Sequence, residues 1–203
     1  MTKTLVFLSA VLLAMSASCS DNANTEVTMN ENQTLEVLKT RRAIRSYEER
    51  IPEKELLDKV LEAGTYAPTG MGAQSPIIVA VTDRQTRDRL AELNAAVMGG
   101  DSDPFYGAPA VLVVLADRKV PTYLYDGSLV MGNLMNAAHA VGLGSCWIHR
   151  AKEVFDSEEG KALLKEWGIE GDYEGIGNCI IGYPKGEAPQ PKARKAGYVY
   201  HVD

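Results

Sequence analysis

The stretch DGSLVMGNLMNAAHAVGLGSCWI, residues 126–148, decides the fold because it joins a strongly apolar helix to a short strand. The helix is predicted over 126–143, and GSCWI is predicted to be the strand. Apolar side chains surround nearly the whole helix: Leu129, Val130, Leu134, Met135, Ala138 and Val141. A helix of this kind belongs in the middle of a protein or in an interface between subunits.

Outside this stretch, runs of branched apolar residues predict further strands, and amphipathic periodicity predicts further helices. The strands are predicted at 77–81, 110–116 and 175–184. The helices are predicted at 34–42 and within IPEKELLDKVLEAG, RQTRDRLAELNAAVMGG and DSEEGKALLKEWGI. The order shows neither regular βαβ units nor a glycine-rich phosphate loop between a strand and a helix. We therefore predict an α+β domain, with one sheet and helices packed on it.

The N-terminus is typical of a targeting signal. Lys3 precedes the apolar run LVFLSAVLLAM, which is too short to span a membrane. The following SASCS resembles the lipobox of bacterial lipoproteins, in which the cysteine, here Cys19, is lipidated. Ordinary secretion with cleavage near Cys19 is the alternative. We expect a signal peptide at 1–18, a lipidated cysteine with a flexible tether at 19–33, and a folded domain at 34–203.

Those boundaries predict an exported protein, anchored to the bacterial membrane only through Cys19 and facing the periplasm or the cell surface. The chain has 27 acidic and 21 basic residues, and its net charge of −6 argues against a nucleic-acid partner. Cys146 and Cys179 are too few for a fold that depends on disulfides. We expect buried free thiols there, while a bridge between them remains open.

Metal and hydrolase sites have weak support in the sequence. His139, His149 and His201 are far apart, and none has a second ligand one helical turn away. No G-x-S-x-G motif is present, and Cys146 has only His149 nearby as a base. Cys146 is therefore expected to be a core thiol, and no metal site is predicted.

Two clusters of cations are unexpected in an acidic chain. TRRAIRSYEER, residues 40–50, contains Arg41, Arg42, Arg45 and Arg50. If the preceding helix continued, Arg45 would share a face with Arg41 and Arg42, and the like charges would repel. The second cluster, in the tail, contains Lys192, Arg194 and Lys195. Each cluster is either a solvated face or an anion site, because arginine forks match phosphate oxygens.

Several motifs resemble those of the FMN-dependent nitroreductase family. RRAIRSY (41–47) resembles its N-terminal arginine motif, APTGMGAQSP (67–76) its APSxxNxQPW segment, and GLGSCWI (142–148) the pattern after its long central helix. IIGYPKGE (180–187) and KAR (192–194) resemble its last strand and basic C-terminal motif. The motifs occur in family order across about residues 34–200.

The resemblance implies a nitroreductase-like fold, with a mainly antiparallel central sheet flanked by helices and with FMN at a homodimer interface. The implied cofactor-binding residues are Arg41, Arg42, Ala43, Arg45, Pro68, Thr69, Gly70, Gly72, Cys146, Trp147, Ile148, His149, Lys192 and Arg194. The arginines would approach the phosphate, ribityl and pyrimidine end, and Lys192 and Arg194 would complete the phosphate site. Pro68, Thr69 and Gly70 would come from the other subunit and line the flavin, and residues 146–149 would pass beside the ring. Ala43, Gly72 and Ser75–Pro76 depart from the residues that are common in the family.

The implied activity is ping-pong hydride transfer from NAD(P)H through flavin N5 to a nitroaromatic, quinone or similar acceptor. No side chain acts as a catalytic acid, and Arg45 supports the reduced flavin. Two alternatives remain at this point. One is an FMN-binding lipoprotein that stores or senses flavin without turnover, and the other is a tethered structural domain without a cofactor. Export raises a further question, because NAD(P)H is scarce outside the cytoplasm.

Overall fold

A computed structural model describes residues 23–203 of the chain, with side chains from residue 32 onward. The predicted signal peptide and Cys19 lie outside the described residues. Contacts divide the chain into two units at Leu35/Glu36, and the whole sheet belongs to the unit Glu36–Asp203. Within residues 23–203, no helix combines the length and the hydrophobicity that crossing a membrane requires.

Six helices and four strands form the described part of the chain. The helices are α1 (Ala23–Thr40), α2 (Lys54–Thr65), α3 (Arg84–Val97), α4 (Tyr123–Ala140), α5 (Ala151–Asp156) and α6 (Glu158–Glu166). The strands are β1 (Pro76–Val81), β2 (Ala110–Asp117), β3 (Gly144–Ile148) and β4 (Tyr173–Gly182). They form one sheet in the order β1-β2-β4-β3, and every neighbouring pair is antiparallel. The prediction of an α+β domain with an antiparallel sheet is confirmed.

Helices cover both faces of the sheet. β2 is in its centre, and alternate side chains of this strand enter two separate apolar clusters. Val111, Val113 and Leu115 pack with residues of α3, α5 and α6. Leu112 and Val114 pack with residues of α2 and α4. Each fully buried aliphatic side chain of this kind contributes about 2–5 kcal/mol against truncation to alanine.

The middle position predicted for α4 is confirmed by its packing. Val130, Met131, Leu134 and Ala138 are buried in the cluster between the sheet and α2. Gly127 makes the close approach to β4 possible, because a Cβ there would lie 2.5 Å from Cγ1 of Ile176.

The ends of the first helix differ from the prediction. α1 begins at Ala23, within the segment predicted to be a flexible tether, and residues 23–40 contain neither Gly nor Pro to stop a helix. α1 also ends at Thr40, two residues before the predicted end at 42, so the helix does not continue to Arg45 and the three arginines do not share a helix face. The following residues leave the helix and form two isolated bridges, Ala43 with Ser145 of β3 and Tyr47 with Pro184 just beyond β4.

The short helix α5 was not predicted. It has six residues and begins after Arg150, a non-glycine residue with φ of 73° and no side-chain cap. Local sequence signals for a helix start are therefore missing at this point. By contrast, α6 begins with a residue typical of a helix start: the hydroxyl of Ser157 accepts a hydrogen bond from the N–H of Gly160.

Candidate functional site

The arginine segment, defined here as residues 41–47, lies beside β3. The N–H of Ile44 donates to the carbonyl of Ser145 at 3.0 Å, and Ala43 forms a parallel bridge with Ser145. Tyr47 forms an antiparallel bridge with Pro184, just beyond β4. Two of the motifs singled out in the sequence, RRAIRSY and GLGSCWI, are therefore adjacent in the fold.

Tyr47 fixes the end of the arginine segment. Its ring is buried, and its hydroxyl donates to the carbonyl of Ile44 at 2.6 Å. Burial raises the pKa of Tyr47 far above its usual value, so the phenol stays neutral. Gly144 allows the segment to approach β3 closely, because a Cβ there would lie 2.9 Å from Cγ1 of Ile44.

The arginines of this segment lack carboxylate partners. Among the side chains that the structure describes, no Asp or Glu forms an ion pair with Arg41, Arg42 or Arg45. Arg42 donates through Nη1 to the carbonyls of Lys39 (2.9 Å) and Arg41 (2.7 Å), at the C-terminal end of α1. Arg45 is exposed, and its guanidinium carbon lies 5.7 Å from the centre of the Tyr106 ring. The segment therefore carries a concentrated positive charge that is available to an external anion.

His139, in the last turn of α4, borders the same cations. Its Nε2 lies 2.9 Å from the hydroxyl of Thr40, the last residue of α1. Burial, together with repulsion from Arg41 and Arg42, lowers the pKa of His139. The place of His139 beside the arginines could not be predicted from the sequence, because it depends on a contact between two helices that are distant in sequence.

The two remaining cysteines are buried and free, as predicted. Cys146 lies opposite Ile180 and Cys179 opposite Trp147 across the β3–β4 pair, and the two thiols enter different apolar clusters on the two faces of the sheet. Burial raises the pKa of Cys146, although Arg45 and Arg41 oppose this effect, and raises that of Cys179 to about 12. The raised pKa values favour the protonated thiol at both positions and do not support a thiolate nucleophile. A bridge between the two is not favoured either, because their side chains lie on opposite faces of the sheet.

The end of β3 has a supporting residue that the sequence did not reveal. Ile148 is buried, Trp147 half-buried and His149 exposed. Asn94 of α3 is fully buried and donates through Nδ2 to the carbonyl of His149 at 2.9 Å. It also accepts from Nε of Arg150, whose left-handed backbone is uncommon for a residue with a side chain. Asn94 thus holds the strained turn that follows the predicted flavin strand.

A second predicted group, Pro68, Thr69, Gly70 and Gly72, lies in the loop between α2 and β1. This loop contains a single 3₁₀ turn, Gly70–Gly72, and the hydroxyl of Thr69 accepts from the N–H of Gln74 at 3.1 Å. No hydrogen bond or ion pair among the described residues joins the loop to the arginine segment of the same chain. Its place near the flavin, from the other subunit, stays a prediction.

A cavity of about 720 Å³ lies between this loop, the end of α2 and β1. Its lining includes Tyr66, Thr69, Gln74 and Ile78, but none of the arginines. The cavity therefore does not coincide with the cationic site within one chain. Among residues 23–203, no cluster of His, Cys, Asp or Glu is suited to holding a metal ion.

The basic tail is separate from the arginine segment in the single chain. Lys192 and Arg194 are exposed, and no described hydrogen bond joins them to Arg41, Arg42 or Arg45. Lys195 lies over the ring of Tyr198, at 5.5 Å from its centre. The joint phosphate site of the two clusters is therefore not assembled by contacts within one chain, and it stays a prediction.

Comparisons with known proteins agree with this arrangement. The family model described as Nitroreductase family matches residues 38–100 and 96–183. A protein of Archaeoglobus fulgidus named "Putative NADH dehydrogenase/NAD(P)H nitroreductase" is 33% identical over 161 residues, which cover 76% of this chain and 87% of that protein. A protein of the same name from Methanothermobacter thermautotrophicus is 31% identical over 124 residues, which cover 59% of this chain and 62% of that protein.

Solved structures show the same fold. The crystal structure of a nitroreductase with bound FMN from Bacteroides fragilis superposes with a TM-score of 0.77 and 28% sequence identity. The superposition covers 84% of this chain and 98% of that structure. The similarity thus extends over nearly the whole unit that contains the sheet and the arginine segment.

Proposed function

The chain belongs to the nitroreductase family, and from this membership we propose that it is an FMN-dependent NAD(P)H oxidoreductase. The observation that carries the proposal is the unpaired positive charge of Arg41, Arg42 and Arg45 beside β3. An acidic protein has carboxylates available to neutralise its arginines, yet none of the side chains described from residue 32 onward pairs with these three. A bound anion would supply the missing negative charge.

The chemistry of these residues fits FMN. Its phosphate carries about −1.5 to −2 charges at neutral pH, and guanidinium groups match phosphate oxygens with paired hydrogen bonds. Arg41 and Arg42 are half-buried, so less of their interaction with an anion is screened by water. Ala43 offers no hydroxyl, and the guanidinium groups are the only charged donors on this segment.

Bound FMN would supply the hydride chemistry, and the chain's own residues would bind and orient it. The exposed guanidinium of Arg45 would place positive charge where negative charge develops on reduction. β3 would support the flavin ring. The strand is held by the hydrogen bond from Asn94 to His149 and by the bridge between Ala43 and Ser145, and Tyr47 fixes the arginine segment beside it. Cys146 takes no part in bond making, because its thiol is buried and neutral.

A homodimer is part of the proposal. Large apolar side chains are exposed along the N-terminal half of α4 and near the loop that precedes β1: Leu124, Tyr125, Leu129, Tyr66 and Met71. Exposed apolar side chains of this size and number favour a protein partner. A second copy of the chain would cover them and would bring its own loop to the arginine segment.

The ping-pong order, the nitroaromatic or quinone-like acceptor and the exported, lipid-anchored location through Cys19 are also proposals. NAD(P)H is scarce outside the cytoplasm. If the protein is exported, it therefore uses another electron donor or has a role other than nitroreduction. The same signal motivates the alternative of a lipoprotein that stores or senses FMN without turnover. A mature, unlipidated form isolated from the cytoplasm would remove this difficulty.

Anaerobic reduction of the purified protein tests the function directly. We expect a yellow protein that absorbs near ~450 nm, the band of oxidised flavin. NADH or NADPH should bleach this band, and a nitroaromatic or a quinone should restore it. A yellow protein that neither nucleotide bleaches supports storage or sensing, whereas a colourless protein that does not take up FMN contradicts both flavin functions.

A further inference from the structure

Asp126 is a buried carboxylate that binds both ends of one loop. It lies in the first turn of α4 and is 2% exposed. Its Oδ1 accepts a hydrogen bond from the N–H of Gly70 at 2.9 Å. Its Oδ2 accepts from the hydroxyl of Ser75 at 2.8 Å and from that of Thr122 at 3.1 Å. One side chain therefore connects the beginning and the end of the segment 70–75 to α4.

The charge of Asp126 is held by these donors without a cation. No Lys, Arg or His among the described residues forms an ion pair with it. Burial raises the pKa of Asp126, but the hydrogen bonds from Gly70, Ser75 and Thr122 outweigh burial and lower it below the usual value. The carboxylate is therefore ionised, and breaking any of the three contacts leaves buried charge poorly solvated.

The loop needs such an anchor because its backbone is strained. Met71 (φ 52°) and Gln74 (φ 50°) adopt left-handed conformations that side chains disfavour, and Gly72 (φ 69°) lies between them. Met71 is 97% exposed, so its side chain contributes no packing within the chain. Gly70 can reach α4 only as glycine, because a Cβ there would lie 2.4 Å from the hydroxyl of Thr122.

We propose that Asp126 is a positioning residue of the flavin site, which fixes the strained loop 69–75 in the shape that contacts FMN in the partner subunit. The inference rests on the proposed function, since this loop contains the predicted flavin neighbours Thr69, Gly70 and Gly72. Asp126 itself does not touch the flavin. Its effect passes through Gly70 at one end of the loop and through Ser75 at the other.

The test compares FMN binding by purified apoprotein variants, measured from the quenching of flavin fluorescence. Asp126→Ala removes both acceptors, and we expect the Kd for FMN to rise about tenfold. Asp126→Asn should restore most of the affinity. Its Oδ1 can still accept from the N–H of Gly70, and the hydroxyls of Ser75 and Thr122 can rotate to accept from its Nδ2. The circular dichroism of the bound flavin should change in Asp126→Ala and return in Asp126→Asn.

Asp83→Ala is the matched control. Asp83 also accepts from a backbone N–H and from a hydroxyl, both of Thr86, but it caps α3 and does not contact the flavin loop. Asp83→Ala should lower stability in urea while leaving the Kd for FMN within twofold of the wild type. This pattern separates a loss of loop shape from a general loss of stability.

The outcomes separate this inference from the proposed function. If the wild type binds FMN and Asp126→Ala binds it equally well, the positioning role is wrong and the function stands. If the wild type does not bind FMN, the proposed function fails and the inference fails with it. Should Asp126→Ala not fold, the pair Ser75→Ala with Thr122→Val, which removes both donors to Oδ2, must weaken FMN binding about threefold, or the inference is overturned.

Discussion

The arginine segment and the Arg118 network show two opposite uses of the same side chain. The Arg118 network consists of Arg118, Asp156, Asp172 and Glu174, and one guanidinium contacts all three carboxylates. These contacts, that of Asp156 first, raise the pKa of Arg118 further. The arginine segment has three guanidinium groups and no carboxylate partner among the described residues. Internal pairing identifies an arginine that stabilises the fold, and its absence identifies arginines available to a ligand.

The largest effect is expected when the unpaired charge is removed. Arg41→Gln combined with Arg45→Gln should weaken FMN binding about 100-fold, because hydrogen bonds to the phosphate and the positive charge beside the flavin ring are both lost. The free energy of unfolding of the apoprotein should stay unchanged or rise slightly, because the removal of two neighbouring cations relieves their mutual repulsion. Fluorescence titration with FMN and with riboflavin measures the effect.

Riboflavin lacks the phosphate and serves as the internal control. The double variant should lose less affinity for riboflavin than for FMN, because the contribution of Arg41 passes through the phosphate and only the charge of Arg45 beside the ring is lost for riboflavin. An equal loss for riboflavin and FMN would show that the arginines act on the ring instead. If the double variant keeps full FMN affinity, the arginines without carboxylate partners do not bind the ligand, and the contrast with Arg118 has no functional meaning.

Arg118→Ala should have the opposite profile. We expect the free energy of unfolding to fall by about 2 kcal/mol, because the buried Glu174 loses its nearest cation and keeps only the Tyr123 hydroxyl and the more distant Lys152. The Kd for FMN should not change. Urea unfolding of the apoprotein and FMN titration measure the two quantities on the same sample. A loss of FMN affinity without loss of stability would contradict the role assigned to the Arg118 network.

The pKa of His139 should change when the anion binds. In the apoprotein, burial and the charges of Arg41 and Arg42 hold the pKa of His139 below the ordinary value of 6.5 for histidine. His139 therefore stabilises the apoprotein fully above pH 6.5, and this contribution is lost as the pH falls through the lowered pKa. Bound phosphate should offset the arginine charges and raise the pKa of His139. NMR titration of His139 with and without FMN tests this, and an unchanged pKa would place the phosphate elsewhere.

The smallest effect is expected for Arg50→Gln. Arg50 pairs with Glu48 and Glu53 through a half-exposed side chain and lies over the ring of Tyr183, at 3.4 Å from its centre. Exposed ion pairs and cation–π contacts of this kind contribute about 1 kcal/mol or less. The Kd for FMN should stay constant. A tenfold or larger change in the Kd for FMN would show that Arg50 belongs to the ligand site although it has carboxylate partners within the chain.

Most of the fold could be predicted because its elements carry strong local signals. The apolar runs at β1 and β2 and the cap at Ser157 are typical of strands and a helix start, and the structure places those elements there. The path of residues 41–47 could not be predicted, because their bridges to Ser145 and Pro184 pair residues more than 100 positions apart. The supporting roles of Asn94 and Asp126 could not be predicted for a related reason. Polar residues within helices are usually exposed, and the burial of these two depends on tertiary contacts.

The placement of Cys146 and Cys179 also makes the fold independent of the redox state of its surroundings. The two thiols are buried and lie on opposite faces of the sheet, so the described domain neither needs a disulfide to fold nor has a pair of cysteines ready to form a wrong one. Thiol–disulfide exchange requires an accessible thiolate, which neither residue offers. The same domain can therefore mature in a reducing cytoplasm or in an oxidising envelope without a change of structure.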